Sequence, residues 1–135
     1  MSIIYTKELT VQAEDAADVF DAADFPDESF RFDVGQVAEM ISNSNLVITA
    51  RDEGRLAGIA LSMSNYVSLC YLCSFAVHPD YKNKGVGKNL ISKTREVAGG
   101  EKITFITLST PASIGFYESI GLERCRNAFI APRSR

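Results

Sequence analysis

The spacing of apolar residues changes period along this chain, and each change marks an element. Residues 2–9 read as a short strand. Ala16, Ala17, Val19 and Phe20 recur at helical spacing among acidic residues, which predicts an amphipathic helix over 13–24. Phe25-Pro26-Asp27 ends it, because proline lacks an amide proton and restricts the residue before it. Asp33 fits the N-cap of a second helix whose apolar positions are Val34, Val37, Ala38 and Ile41. Residues 46–50 and 56–63 are strand-like runs flanking Asp52-Glu53-Gly54-Arg55, which has the composition of a hairpin turn. Ser64-Asn65 marks another turn before a long, mostly apolar strand over 67–77. A glycine-rich turn then leads into a helix over 85–98 that Gly99-Gly100 terminates. Residues 103–108 read as a strand, Pro111 opens a short helix to Ser119, Gly121 stops it, and residues 122–130 read as the last strand.

Three strands in succession favour antiparallel pairing. The strand–helix–strand run from 67 to 108 favours a parallel crossover. A mixed α/β sheet with helices on both faces is the expected result. The length of 135 residues, with 46% hydrophobic and 23% charged residues, suits a single domain over 1–135 with a substantial core. No run approaches the ~18 apolar residues of a membrane helix, and the first residues lack the basic start and apolar stretch of a secretory signal. Three cysteines are too few for a disulfide scaffold and read as reduced, buried thiols, which points to the cytoplasm.

The net charge of −3 hides a split. Residues 1–80 hold 4 Lys and Arg against 13 Asp and Glu, whereas residues 81–135 hold 10 against 4. A basic half could hold an anionic cofactor and an acidic half could attract a cationic substrate, unless the halves interleave in space. No Lys/Arg cluster is interleaved with aromatics and the chain is acidic overall, which argues against nucleic acid as a partner.

The strongest local chemistry lies in Val77-His78-Pro79-Asp80-Tyr81-Lys82-Asn83-Lys84-Gly85-Val86-Gly87-Lys88, between a predicted strand and a predicted helix. Gly85 and Gly87 allow close approach of a ligand to the backbone. The first amides of the helix have no internal partners and, with the helix dipole, favour an anion. Lys82, Lys84 and Lys88 add positive charge, so a phosphate or pyrophosphate fits. The third glycine of a dinucleotide fingerprint is missing, as is the Gly-x4-Gly-Lys-Ser/Thr pattern of a P-loop. A tight turn with surface lysines is the simpler alternative for this stretch on its own.

Two blocks carry a family resemblance. FAVHPDYKNKGVGKNLI, residues 75–91, resembles the acyl-CoA-binding motif of the GNAT superfamily of N-acyltransferases. ITFITLSTPASIGFYESIGL, residues 103–122, resembles that family's second block, an apolar strand followed by FY-x-x-x-G-[FL]. The resemblance implies a GNAT fold: a mixed, mostly antiparallel sheet of six to seven strands with about four helices. It implies that the parallel strands near 69–77 and 103–108 splay to admit a pantetheine arm. It further implies acetyl-CoA as cosubstrate, with its pyrophosphate on the amides of Lys84, Gly85, Val86, Gly87 and Lys88 and with Lys82 and Asn83 at the edge. Phe75, Ala76 and Val77 would run beside the pantetheine, with the Val77 amide polarising the thioester carbonyl. Thr110, Ser113 and Phe116 would complete the cofactor site, and Tyr117 would protonate the departing thiolate. Three residues depart from the family pattern: Lys82 in place of Arg or Gln, Thr110 in place of Asn, and Tyr71 where several members carry a glutamate base. The last departure points to water-mediated deprotonation of the amine.

Cys70-Tyr71-Leu72-Cys73 has CxxC spacing, but it lies within a strand rather than at a helix start, so it reads as two strand cysteines. Cys125 and the single His78 complete no zinc spacing, and no metal is expected. His78 reads as a turn residue. Asp21, Asp24, Asp27 and Glu28 form either a solvated face or an acidic rim around the acceptor pocket. The expected activity is acetyl transfer from acetyl-CoA to a primary amine of a small molecule by direct attack. The alternatives are a protein or peptide amine as acceptor, and a non-catalytic acyl-CoA-binding module. The expected partners are acetyl-CoA and the amine acceptor, with a homodimer as an option and neither membrane nor nucleic acid involved.

Overall fold

The computed structural model describes residues 1–134. Five strands hydrogen-bond in chain order: β1 (Ile3–Lys7), β2 (Leu46–Asp52), β3 (Arg55–Ser64), β4 (Leu69–Val77) and β5 (Thr104–Thr107). The first three pairings are antiparallel and β4–β5 is parallel. Helices α1 (Ala13–Ala22) and α2 (Val34–Ser42) pack on one face of the sheet, and α3 (Val86–Ala98) packs on the other. The short α4 (Ile114–Ser119) follows β5.

Local chemistry explains most of these elements. Glu53 and Gly54 have φ of 49° and 89°, the paired positive values that a two-residue hairpin turn with native twist requires. Asp33 accepts the Gln36 amide at 2.7 Å while the Gln36 side chain accepts the Asp33 amide at 2.9 Å, a complete capping box for α2. Strands β2 and β3 read as near-continuous apolar runs because both their faces are covered. Leu46, Ile48, Ala60 and Leu72 pack toward Leu90 and Ile91 of α3. Val47, Ile59, Leu61 and Ala76 pack toward Ala16, Val19 and Phe20 of α1 and Val37 of α2.

One irregularity decides which side chains reach the site. Leu61 pairs with Ser74 but Ser62 pairs with Leu72, so Cys73 is an extra residue in β4. Cys70 and Leu72 belong to the α3 side before it, and Phe75 and Val77 belong to the α3 side after it.

The expected strand over 122–130 does not form, so the sheet has five strands rather than six to seven. Strict alternation would put Leu122, Arg124, Arg126, Ala128 and Ile130 on one side, with two arginines in its middle, and Glu123, Cys125, Asn127 and Phe129 on the other. Neither set makes an apolar stripe, so no face offers burial in return for ordering. The segment is exposed and Phe129 is fully so. The Arg133 guanidinium at its far end lies over the rings of Phe30 and Phe32, at 5.1 and 5.5 Å.

The close approach of α3 to the sheet depends on Gly58. A Cβ there would stand 2.7 Å from Leu90 Cδ1 and 3.1 Å from the Ala76 carbonyl oxygen, and Leu90 is fully buried. Gly58→Ala should therefore destabilise the protein by about 1–3 kcal/mol through overpacking. Thermal unfolding should show a midpoint lowered by roughly 4 °C for each kcal/mol lost.

Candidate active site

The parallel ladder is short. Residues 69–72 of β4 pair with residues 104–107 of β5, and the Thr107 hydroxyl closes the run by donating to the Leu72 carbonyl at 3.0 Å. Beyond this point β4 continues for five residues with only β3 beside it. The His78 amide bonds the Ala57 carbonyl on the β3 side at 2.8 Å. Successive amides of a strand alternate sides, so the N–H groups of Val77 and Phe75 point away from β3, into the space where β5 has left. The side chain of Ala76 is buried under α1, and by the same alternation its N–H points toward β3.

The turn after β4 is clamped. The His78 ring nitrogen Nδ1 accepts the Asp80 amide at 3.1 Å, which gives His78 the turn role its sequence context suggested. Buried Tyr81 donates its hydroxyl to Asp52 at 2.8 Å, and Arg55 pairs with Asp80 at 2.9 Å while lying 5.3 Å from the centre of the Tyr81 ring. The Tyr81 hydrogen bond holds the Asp52 carboxyl below its ordinary range, and the Arg55 hydrogen bond does the same for Asp80. This clamp delivers the chain into Asn83 and Gly85, whose φ values of 60° and 79° are left-handed. Gly85 is the N-cap of α3 and supplies no side-chain cap, so the amides of Val86, Gly87 and Lys88 face outward without intrahelical partners. Lys82, Lys84 and Lys88 are exposed around them, whereas the Val86 side chain is buried in the core.

Gly87 joins this turn to β4 and α4. A Cβ on it would lie 3.2 Å from Phe116 and 3.3 Å from Phe75, so the position serves ring packing as well as close approach. Phe75 and Phe116 stack at 6.0 Å, Phe116 meets Tyr117 edge-on at 5.2 Å, and Phe75 lies 6.5 Å from Tyr117. Burial pushes the Tyr117 phenol above its ordinary value, with a smaller opposing hydrogen-bond effect from Thr107. A phenol so placed is protonated at neutral pH and can act as a donor. The Thr110 and Ser113 hydroxyls lie 3.1 Å apart at the turn leading into α4. An open cleft of about 380 Å³ runs from Lys88 along α3 past Ile91 and Arg95 to Ile120.

Phe75, Gly87, Phe116 and Tyr117 are thus brought together, with the amides of Phe75 and Val77 on the gap edge. Lys82, Asn83 and Lys84 stand on the turn, and Thr110 and Ser113 stand on a separate loop. Thr107, whose hydroxyl stands beside these residues at the end of the ladder, carries no signal in the sequence. It sits in an ordinary β pattern, and only the end of the ladder gives its hydroxyl a role.

Burial raises the thiols of Cys70 and Cys73, so neither is an activated nucleophile. The rim acids Asp21 and Asp24 share Arg31, which pairs with Asp24 and lies 3.7 Å from Asp21. Among the described residues no group of three metal-binding side chains occurs, and no helix is long and apolar enough to cross a membrane.

A mixed sheet whose one parallel pair parts beside a helix N-terminus is the fold expected from the two sequence blocks, 75–91 and 103–122. The chain belongs to the acetyltransferase (GNAT) family, whose model matches residues 10–122. Solved structures agree on the fold. A GNAT-family acetyltransferase from Streptococcus pneumoniae TIGR4 is 21% identical, with a TM-score of 0.72 over 98% of this chain and 100% of that one. The ribosomal-protein-S18-alanine N-acetyltransferase from Escherichia coli is 21% identical, with a TM-score of 0.68 over 89% of this chain and 77% of that one. AAC(6')-Iy, solved with the bisubstrate analogue CoA-S-monomethyl-acetylneamine, is 16% identical, with a TM-score of 0.68 over 100% of this chain and 99% of that one. No curated protein matches the sequence.

The thiol environments give a direct check. Alkylation of the native protein at mildly alkaline pH should modify exposed Cys125 first and spare fully buried Cys70 until denaturant is added. Peptide mass spectrometry reads the order, and rapid native labelling of Cys70 would contradict this packing.

Proposed function

We propose that this protein works as one catalytic domain that transfers the acetyl group of acetyl-CoA to the primary amine of a small molecule. The observation that carries the reading is the convergence of three features on one gap. These are the uncapped N-terminus of α3, the amides of Val77 and Phe75 on the free edge of β4, and the protonated Tyr117 phenol.

In this reading the CoA pyrophosphate rests on the amides of Lys84, Gly85, Val86, Gly87 and Lys88, with Lys82 and Asn83 at its edge. Thr110, Ser113 and Phe116 border the cofactor from the α4 side. The pantetheine arm runs beside Phe75, Ala76 and Val77 and takes the place of the missing strand, bonding the backbone where β5 no longer does. The Val77 N–H polarises the thioester carbonyl as its oxygen gains charge. The amine nitrogen bonds to the carbonyl carbon, the C–S bond breaks with its electron pair on sulfur, and Tyr117 gives that sulfur its proton. The amine's excess proton leaves to water, since β4 and β5 contain no carboxylate.

Tyr117→Phe keeps the ring packing and removes only the hydroxyl, so kcat should fall by about 10²-fold or more while acetyl-CoA affinity stays near wild type. Because its pKa is raised, Tyr117 ionises above its ordinary value of about 10, and activity lost to that ionisation should appear only beyond that pH. The alkaline loss should be absent from the Phe variant. Wild-type turnover in Tyr117→Phe would assign the hydroxyl no part in the chemical step.

Lys88→Glu reverses a charge on an exposed first-turn position of α3. The acetyl-CoA dissociation constant from calorimetric titration should rise by on the order of tenfold, equivalent to about 1.4 kcal/mol. An unchanged value would remove the pyrophosphate from this turn.

A further inference from the structure

The gap has two faces, and they differ in kind. On the α3 side, Phe75, Phe116, Tyr117 and the first turn of α3 already crowd it. On the other side, Met63 of β3, Tyr71 of β4 and Ile106 of β5 stand in register across three neighbouring strands. Leu69 lies two residues before Tyr71 on the same face. Helices α1 and α2 bury Ile59, Leu61 and Ala76 on this face but leave its far end open: Met63 is 51%, Leu69 39% and Ile106 41% exposed. The extra residue Cys73 leads from this strip to the point where β4 and β5 part.

The walls of the gap carry no formal charge. Residues 56–77 and 103–117 contain no Asp, Glu, Lys or Arg. Of the acids on the α1–α2 side, Glu8 is paired with Arg51 at 2.7 Å and Asp24 with Arg31. A planar thioester is attacked from outside its plane, and the α3 face is filled. The open strip is therefore the side from which a second substrate could reach such a thioester.

We infer that the acceptor is a small primary amine on an apolar aliphatic or aryl body, held against Met63, Leu69, Tyr71 and Ile106, and that polyamines are poor acceptors. This rests on the acetyl-transfer reading above. The uncharged strip also fits the missing glutamate base. An ammonium group drawn into an apolar site is disfavoured by desolvation, so its proton leaves more readily and less is asked of a protein base.

The test is titration of 2-phenylethylamine and of spermidine into the CoA-saturated protein by calorimetry, with thiol release from acetyl-CoA followed for both amines. 2-Phenylethylamine should bind about tenfold or more tighter, with a dissociation constant that stays flat as salt is raised past the screening range. Ile106→Asp should weaken it about tenfold and Ile106→Val should not. Because Ile106 is substantially exposed, the thermal midpoint of Ile106→Asp should stay close to wild type; Met63→Glu, on another strand, repeats the test if it does not. Preference for spermidine, strong salt dependence, or wild-type 2-phenylethylamine affinity in both acidic variants would overturn the inference. Tight 2-phenylethylamine binding without thiol release from any amine would uphold the apolar site and remove acetyl transfer. Thiol release with spermidine but not 2-phenylethylamine would do the reverse.

Discussion

Unpaired backbone amides inside a sheet are costly, and the parting of β4 from β5 creates them on purpose. Each N–H left without a partner away from water costs roughly as much as a lost hydrogen bond. Here the ladder stops at Leu72 and Thr107 while β4 runs on, so the edge from Cys73 to Val77 holds donors and acceptors with no strand opposite. The fold tolerates this because β3 holds the same residues from the other side and α1 and α3 cover both faces of β3. A linear ligand with amide groups satisfies that edge as a strand would.

The frame is rigid where the ligand chemistry needs it. The Asp52–Tyr81 bond and the Arg55–Asp80 pair fasten the turn after β4 to the β2–β3 hairpin, so the turn's left-handed residues are held by contacts that do not involve ligand. Gly58 lets α3 lie close on the sheet, which sets the height of its N-terminus above the gap. The extra residue Cys73 then swaps the faces of β4, carrying Phe75 toward α3 and leaving Tyr71 on the opposite side. One inserted residue thus puts Phe75 and Tyr71 on opposite faces of a single strand.

Much of this was legible in the residues. Asp33 with Gln36 three residues on, Glu53-Gly54 at the hairpin and Gly85 before an apolar helix each act through local chemistry, and each element stands where its signal lies. The gap was legible only through family motifs, because where a ladder ends depends on register between segments far apart in the chain. Cys73 looks like any strand residue until its partners are counted. Thr107 gains its role from a carbonyl 35 positions earlier. The segment 122–130 misled for the opposite reason: its scattered apolar residues have strand-like composition but no alternation. In the acidic first half, Glu8 and Asp24 pair with arginines, contacts that no spacing in the sequence announces.

Gly87 touches two rings at once, one from β4 and one from α4. Its backbone amide belongs to the anion-binding turn, and its bare α-carbon is the seat on which Phe75 and Phe116 stack beside Tyr117. No flexible side chain separates the two functions. Any enlargement at this position would shift the first turn of α3 and the neighbouring rings together. On the proposed reading, affinity for the donor and speed of the reaction are therefore geared to one another here, and a lineage adapting this scaffold to a new acceptor would alter the open strip across β3, β4 and β5 and leave the glycine alone.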